Sequence, residues 1–171
     1  MGLKFSCMSD VDLKNSDNSI PYFDLAGNTY ISKVVDVYDG DTCSIVIRLN
    51  GKLEKFKLRC KGYDSPEMKP PLSSENRENV INNAIKARNY FISKVTNCKL
   101  LLHIHYSKDE LKEVFKLNTK LVKVKSHGWD KYGRLLGEIF VDDININEDM
   151  INNNYGYRYD GGTKQKVSFN I

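Results

Sequence analysis

Four short segments of this sequence carry charged residues whose types suit phosphoryl chemistry. They are Asp39-Gly40-Asp41-Thr42, Arg59, Asp64-Ser65-Pro66-Glu67 and Asp130-Lys131-Tyr132-Gly133-Arg134. Hydrolysis of a phosphodiester requires a hard cation, cationic donors for the negative charge that develops, and a positioned water. Carboxylates, arginines and one glutamate in these segments meet those needs, so phosphodiester hydrolysis is the chemistry that they indicate together.

Each segment also has a simpler interpretation when it is taken alone. An Asp-Gly-Asp turn is more often solvated than a metal ligand. Arg59 could be an ordinary charge on an edge strand, Arg134 could pair with a surface carboxylate, and Glu67 could cap a loop. The catalytic hypothesis therefore depends on the four segments meeting in space.

Strand signals precede or follow these segments. A β-rich run begins at Thr29 and stops at Asp39-Gly40. Apolar residues then alternate from Cys43 to Leu49, as in a half-buried strand. Asn50-Gly51 is a strong hairpin signal, and a return strand runs from Leu53 to Cys60. The sequence thus predicts three strands in a meander, with the charged segments at their ends.

The rest of the chain mixes helix and strand signals. Helical spacing of apolar residues predicts a helix from about Asn76 to Val95, and Ser107 to Glu110 form a capping box for a short helix. Strand signals cover 100–106, 121–125 and 135–141, and a further helix signal covers 146–153. The predicted fold class is α+β, mainly β: a five-stranded Greek-key barrel of the oligonucleotide-binding (OB) kind with about two to three helices.

Length and composition bound the other expectations. The chain has 171 residues, 40% of them hydrophobic, and a formal net charge of +4, which fits a polyanionic partner without requiring one. We expect an N-terminal arm over 1–28, one domain over 29–160 and a tail over 161–171. The four cysteines lack metal-ligand spacing and are expected to be reduced thiols. Without a secretory signal or a membrane-spanning run, the protein is expected to be intracellular and not secreted.

The motifs in this order resemble the staphylococcal nuclease (thermonuclease-like) family. That family carries an Asp-Gly-Asp-Thr turn, matched by residues 39–42, and an arginine five residues before Asp-Thr-Pro-Glu, matched by Arg59 and residues 64–67. Asp-Lys-Tyr-Gly-Arg is present unchanged at 130–134, and a helix beginning with Asn-Glu is matched at Asn147-Glu148. The resemblance covers Thr29 to about Tyr159.

The resemblance implies a calcium site. Asp41 and Asp64 would be carboxylate ligands of Ca²⁺, and the backbone carbonyl of Ser65 would be a third oxygen ligand. Serine replaces the usual threonine at this position, and because the ligand is a backbone oxygen the change should be harmless. Ca²⁺ accepts oxygen-rich shells completed by water and substrate, so a sparse protein shell suffices.

The resemblance also implies catalytic and substrate-binding roles. Arg59 and Arg134 would donate to phosphate oxygens in the transition state, and Glu67 would orient or deprotonate the attacking water. The products would carry a 3′-phosphate. Lys131 and Tyr132 match the family's nucleotide contacts.

Other aromatic residues and the chain ends depart from the family pattern. Tyr157 and Tyr159 are candidates for stacking on substrate bases, although barrel packing explains them nearly as well. Extra residues lie between Tyr106 and Lys120. We expect no counterpart of the family's final helix, because the stretch from Thr163 to Ile171 is too short to form it.

The N-terminal arm contains a lipidation motif. Met1-Gly2 followed by Ser6 fits N-myristoylation, and Cys7 could accept palmitate, which would attach the protein to a membrane. A chance match in an unstructured arm is an equally good interpretation.

Two classes of function remain after this reading. The first is a Ca²⁺-dependent endonuclease or phosphodiesterase that acts on DNA, RNA or both as a monomer. The second is a catalytically inactive OB-fold module that binds nucleic acid or protein. Degenerate relatives lose the charged site residues, whereas this chain retains Asp41, Arg59, Asp64, Glu67 and Arg134, which favours the enzyme.

Overall fold

The computed structural model describes residues 9–162, 169 and 171. Gly2 and Cys7, the candidate acylation sites, lie outside these described residues. Within them the elements, in chain order, are α1 (Ser9–Asn15), β1 (Thr29–Val37), β2 (Thr42–Leu49), β3 (Lys52–Cys60), β4 (Tyr63–Asp64), α2 (Arg77–Val95), α3 (Lys108–Leu117), β5 (Val122–Trp129), β6 (Leu135–Val141), β7 (Ile144–Asn145), α4 (Ile146–Asn152) and β8 (Tyr157–Arg158).

Five of these strands close into a barrel. The antiparallel order is β3-β2-β1-β5-β6, and β6 returns to pair with β3 in parallel, which closes the sheet on itself. Leu58, Arg59 and Cys60 face Leu135, Leu136 and Gly137 across this parallel seam. The predicted α+β fold with a five-stranded OB-type barrel is confirmed.

The meander forms where the sequence predicted it. Asn50 and Gly51 both have positive φ angles, 46° and 79°, which is the backbone that a two-residue hairpin requires. The turn sets Leu49 opposite Lys52 and fixes the register of the whole β2–β3 ladder. Alternate residues of each strand then face the interior, where the barrel core includes the fully buried Val34, Ile45, Leu58, Val124 and Ile139.

Helix α2 covers one end of the barrel. Phe91, Ile92 and Val95 are fully buried in the same core cluster as the strand residues, so the apolar stripe of the helix packs on the barrel as its spacing predicted. The capping box of α3 is also present. Ser107 Oγ accepts from the backbone N–H of Glu110, and the Glu110 carboxylate accepts from the N–H of Ser107.

The strand predicted over 100–106 is wrong. This segment has no regular structure, and its backbone carbonyls bond to one buried side chain instead of to a neighbouring strand. The Nδ2 group of Asn89 lies 3.1, 3.1 and 2.8 Å from the carbonyl oxygens of Leu101, Leu102 and Ile104. Turns within the segment add to these contacts, since Ile104 N–H donates to the Leu101 carbonyl and Tyr106 N–H to the Ile104 carbonyl. Together with the Asn89 amide they supply hydrogen bonds that a neighbouring strand would otherwise supply.

The chain before the barrel contributes to it at one point. Leu25 is 2% exposed and belongs to the core, and the N–H of Gly27 donates to the carbonyl of Ser126 in β5 at 2.9 Å. The only helix before β1 in the described residues is the short α1. In the described part of the chain, no helix has the length and apolar character that crossing a bilayer requires.

Candidate active site

A cavity of about 920 Å³ opens at one side of the barrel, where the charged segments meet. Its lining includes all five residues expected to take part in catalysis or metal binding through their side chains: Asp41, Arg59, Asp64, Glu67 and Arg134. Lys131, Tyr132 and Tyr159 line it as well. Residues separated by more than ninety positions in the sequence therefore face one space.

Arg59 lies between two carboxylates at the centre of this cavity. Its Nη1 atom is 2.8 Å from Asp41 Oδ1, and its Nη2 atom is 2.7 Å from Asp64 Oδ1. The three side chains are almost fully buried, with residue exposures of 8% for Arg59 and 4% for each aspartate. The two candidate metal ligands thus face the same guanidinium. Both carboxylates are therefore close enough to bind one metal ion between them.

Strand pairing produces this convergence. In the β2–β3 ladder Thr42 is opposite Arg59, and the N–H of Cys60 donates to the carbonyl of Asp41 at 2.8 Å, so Asp41 is carried to the end of β3. On the other side of β3, Arg59 is opposite Leu136 in the parallel seam. Arg134 lies two residues before Leu136 and so faces the same way as Arg59.

Further hydrogen bonds hold the carboxylates. Asp41 Oδ2 accepts from the backbone N–H of Ser65 at 2.8 Å, and Asp41 Oδ1 accepts from the Thr42 hydroxyl at 2.9 Å. Asp64 Oδ2 accepts from the Tyr157 hydroxyl at 3.1 Å. Each aspartate is therefore held from a segment other than its own, which fixes the separation of the two carboxylates.

The Tyr157 contact comes from a small second sheet. Strands β4 and β8 pair antiparallel, with Asp64 directly opposite Tyr157. Two-residue strands are too short for any alternation to be visible, so the sequence could not reveal this pairing. Tyr157 was expected as a substrate contact, and in this structure its hydroxyl binds a candidate metal ligand.

Tyr159 and Tyr155 lie in different environments. Tyr159 lines the cavity and donates its hydroxyl to the carbonyl of Gly162 at 2.7 Å. Tyr155 is buried and stacks on Tyr90, with 4.1 Å between ring centroids. Of these two tyrosines, Tyr159 is the one that lines the cavity.

The turn at 130–134 presents a second arginine. Asp130 Oδ1 accepts from the N–H groups of Tyr132 and Arg134, each at 2.8 Å, and Asp130 Oδ2 pairs with Arg134 Nε at 2.7 Å. The Arg134 and Lys131 cations lie 5.6 and 5.1 Å from the centre of the Tyr132 ring. The ion pair with Asp130 orients Arg134 and leaves the guanidinium at the cavity.

Gly40 is required by a close approach. A Cβ atom there would lie 2.8 Å from Ser65 Cβ and 3.0 Å from Ala87 Cβ, and no such contact is tolerated without a shift of the backbone. The φ angle of Gly40 is not in the left-handed region. Glycine is therefore needed because helix α2 and the Ser65 loop press on the Asp-Gly-Asp turn. The carbonyl of Gly40 accepts from the buried Tyr63 hydroxyl at 2.6 Å, which holds the turn from the other side.

The carboxyl group of Asp39 has a strongly raised pKa. Burial raises the pKa of Asp39 from its usual 3.8 to about 8, and the nearby negative charge of Asp41 adds to this rise. The Asp39 carboxylate accepts from the N–H of Asp41 at 3.1 Å, a hydrogen bond that lowers the pKa and only partly offsets the other two effects. The folded protein therefore keeps the Asp39 proton to a higher pH than the unfolded chain does.

A pH dependence of stability follows from Asp39. Since its folded-state pKa lies above the unfolded-state value, the folded state binds the extra proton between pH 4 and 8, and stability falls as the pH rises through this range. We expect urea unfolding in chelator to show a smaller free energy of unfolding at pH 8 than at pH 5. The Asp39→Asn variant should lose part of this difference. An equal difference in both proteins would contradict the assignment to Asp39.

The donors of the site fit a hard cation. Carboxylate oxygens are ligands that Ca²⁺ prefers, and the carboxylates of Asp41 and Asp64 both face the Arg59 guanidinium. Ser65, whose carbonyl is the expected third ligand, is not among the residues that line the cavity, and it contacts Asp41 through its N–H. Among the described residues, no group of three or more His, Cys, Asp or Glu side chains is arranged to hold a metal ion. A cation at Asp41 and Asp64 would therefore depend on backbone, water and substrate oxygens for the rest of its shell.

The closed OB-type barrel with arginines and carboxylates at its mouth has the architecture expected from the resemblance of the motifs. A model of the staphylococcal nuclease homologue family matches residues 57–167, and the chain belongs to this family. The matched segment includes Arg59, Asp64, Glu67 and Arg134, while the Asp39–Thr42 turn precedes it and joins the site through the β2–β3 ladder. No curated protein matches this sequence.

Proposed function

We propose that this chain is a Ca²⁺-dependent nuclease that hydrolyses phosphodiester bonds of DNA, RNA or both and leaves 3′-phosphate ends. The observation that carries the proposal is the Arg59 guanidinium between the carboxylates of Asp41 and Asp64, at the centre of a cavity that Arg134 and Glu67 also line. A binding module without catalysis would not need two buried carboxylates held this close together.

The site residues divide the work of hydrolysis. Asp41, Asp64 and the Ser65 carbonyl would hold Ca²⁺, which when bound supplies charge neutralisation for the phosphate and lowers the pKa of a coordinated water. Arg59 and Arg134 donate N–H groups to the oxygens that gain negative charge in the transition state. Glu67 is exposed at the cavity and can orient or deprotonate the attacking water.

Arg59 has enough donors for both of its roles. A guanidinium carries five N–H groups: Nη1 faces Asp41 Oδ1 and the carbonyl oxygens of Asp41 and Cys60, and Nη2 faces Asp64 Oδ1, which leaves the Nε–H and one N–H of Nη2. Arg59 can therefore keep a carboxylate contact while it donates other N–H groups to a phosphate. Arg134 reaches the cavity from the opposite strand of the parallel seam, so the two arginines can approach one phosphate from two directions.

The test is digestion of matched single- and double-stranded DNA and RNA in Ca²⁺ or in chelator. We expect cleavage in Ca²⁺, loss of cleavage in chelator, and products with 3′-phosphate ends. Glu67→Gln is the matched control, because it removes the base and keeps the shape of the side chain. Cleavage that survives chelation, or that is equal in Glu67→Gln, would contradict the proposal. Nucleic-acid binding without any cleavage would favour the inactive module.

We also propose that the N-terminal arm attaches an intracellular protein to a membrane. The support is the sequence motif alone, Met1-Gly2 with Ser6 and Cys7. One myristoyl chain gives only marginal attachment, so stable attachment needs a second acyl group at Cys7. We expect Gly2→Ala to move the protein from the membrane to the soluble fraction and Cys7→Ser to weaken attachment, with Cys98→Ser as a control. Unchanged fractionation of Gly2→Ala would exclude the attachment.

A further inference from the structure

Positive charges alternate along β3 and just beyond its end. The sequence from Lys55 to Lys61 places a cation at every second position, at Lys55, Lys57, Arg59 and Lys61. Alternate residues of a strand face the same side of the sheet. Lys57, Arg59 and Lys61 all line the 920 Å³ cavity, and Lys55 lies on the same face outside it. We refer to the three cavity residues as the cationic row.

The row keeps strand geometry through Lys61. Cys60 is the last residue of β3, but the N–H of Lys61 donates to the carbonyl of Gly137 at 2.9 Å and extends the pairing with β6. Alternate residues in a strand are separated by about 6.6 Å. This separation is similar to that of neighbouring phosphates on one nucleic-acid strand, so three successive phosphates match the three cations.

Lys61 lies at the edge of the cavity and also lines a smaller neighbouring pocket that includes Glu138. Its Nζ atom lies 3.3 Å from His127 Nδ1, and His127 Nε2 lies 2.7 Å from Glu138 Oε2. The His127 ring thus contacts the Glu138 carboxylate through one nitrogen and the Lys61 ammonium through the other. The ammonium has three N–H donors, so this contact positions Lys61 and leaves others for a ligand.

Lys57 lies two residues before Arg59, at the opposite end of the cationic row from Lys61. It is exposed to the cavity, and within the described residues it forms no ion pair, although Asp36 also borders the cavity two strands away. Its register partner in β2 is Ser44, a buried residue that lines the cavity. The Lys57 charge is therefore not satisfied by a carboxylate and faces the space that a substrate would enter.

We propose that a single nucleic-acid strand lies along the cationic row, with Arg59 at the phosphate that is cleaved and Lys57 and Lys61 at the phosphates on either side. The proposal rests on the proposed nuclease function, because that function assigns Arg59 to the phosphate that is cleaved. It defines the substrate as an internal phosphodiester of a polynucleotide strand, flanked by a phosphate in each direction. Terminal or isolated phosphodiesters would lack one or both lysine contacts.

The kinetic test compares two substrates that differ only in the flanking phosphates. One is thymidylyl-thymidine, with a single phosphodiester, and the other is the same compound with a terminal phosphate at each end. We expect the wild-type kcat/KM to be higher for the second. Lys57→Ala and Lys61→Ala should each reduce this preference by about fivefold near 0.1 M salt, because each removes one phosphate contact. Lys55→Ala is the matched control and should keep the preference.

A binding test separates this proposal from the nuclease assignment. Anisotropy of a labelled oligothymidylate is measured in chelator at several salt concentrations, so that no cleavage is needed. The slope of log K against log salt should decrease in magnitude by about 0.7 for each of Lys57→Ala and Lys61→Ala. Equal behaviour of these variants and Lys55→Ala would overturn the proposal. The proposal would also be overturned if Lys57→Ala and Lys61→Ala lowered kcat/KM by the same factor for both dinucleotide substrates. If the wild-type protein cleaves neither DNA nor RNA in Ca²⁺, the nuclease assignment fails, and the salt slopes then test the cationic row by themselves.

Discussion

Replacing Arg59 by alanine should abolish most of the activity. One donor that acts on developing negative charge contributes about 10²–10³-fold to kcat, and we expect at least this loss in a single-turnover cleavage assay in Ca²⁺. Lysine at the same position keeps the charge but cannot bridge Asp41 and Asp64 with two separate nitrogen atoms as the guanidinium does. Arg59→Lys should therefore recover little of the rate.

The same substitution should also weaken the fold when no metal is present. It leaves the carboxylates of Asp41 and Asp64, each 4% exposed, without their shared cation, and removal of one partner of a buried ion pair costs about 3–5 kcal/mol. Urea unfolding in chelator measures this loss, and added Ca²⁺ should restore more stability to Arg59→Ala than to the wild type. Arg48→Ala is the control, because Arg48 is exposed and, among the residues that the structure describes, its side chain donates to the carbonyl of Gly51 alone. Equal single-turnover cleavage rates for Arg59→Ala and Arg48→Ala would contradict the assignment of Arg59 to catalysis.

Gly156→Ala should destabilise the protein through overpacking. An added Cβ would lie 2.5 Å from Tyr63 Cδ2 and 3.0 Å from the backbone oxygen of Asp64. Tyr63 is 1% exposed and its hydroxyl is held by Gly40, so the ring has no room to move away. Overpacking of this kind costs about 1–3 kcal/mol, which urea unfolding followed by circular dichroism would measure.

A second substitution tests the cause of that loss. In a Tyr63→Leu background the overlapping ring atom is gone, so Gly156→Ala should cost less there than in the wild type. The φ angle of Gly156 is not in the left-handed region, so backbone strain does not contribute to the expected loss. Equal costs in both backgrounds would show that the ring contact is not responsible.

The sequence predicts the meander well because its signals are local. Asn50-Gly51 determines the hairpin, and the alternation from Cys43 to Leu49 determines which face of β2 is buried. The capping box at Ser107 is equally local, and it places the start of α3 correctly. In each case the residues that decide the structure lie within a few positions of one another.

The errors and omissions arise from contacts between distant residues. The apolar run at 100–106 has the composition of a strand, but its backbone carbonyls accept hydrogen bonds from the Asn89 side chain. No residue within the run indicates this contact. The β4–β8 pairing joins Asp64 to Tyr157 across most of the domain through strands of two residues. Periodicity cannot detect either arrangement.

The candidate site was predictable as a set of residues and not as a geometry. The motifs identify Asp41, Arg59, Asp64 and Arg134, and all four line one cavity. The pairing of Arg59 with both aspartates depends on the register of β3 against two neighbouring strands, and the role of Gly40 depends on the approach of Ala87 in α2. Both are properties of the folded chain.

The parallel seam between β3 and β6 governs how the site is assembled. The hairpin of β2 and β3 forms from neighbouring residues, but the partner of Arg59 across the seam, Leu136, is supplied much later in the chain. Such non-local pairing is slow to form compared with local structure. During synthesis, a nascent chain that ends before β6 can contain Asp41, Arg59 and Asp64 and still have no closed cavity. Competence for cleavage should therefore appear late and abruptly, once both halves of the barrel have met.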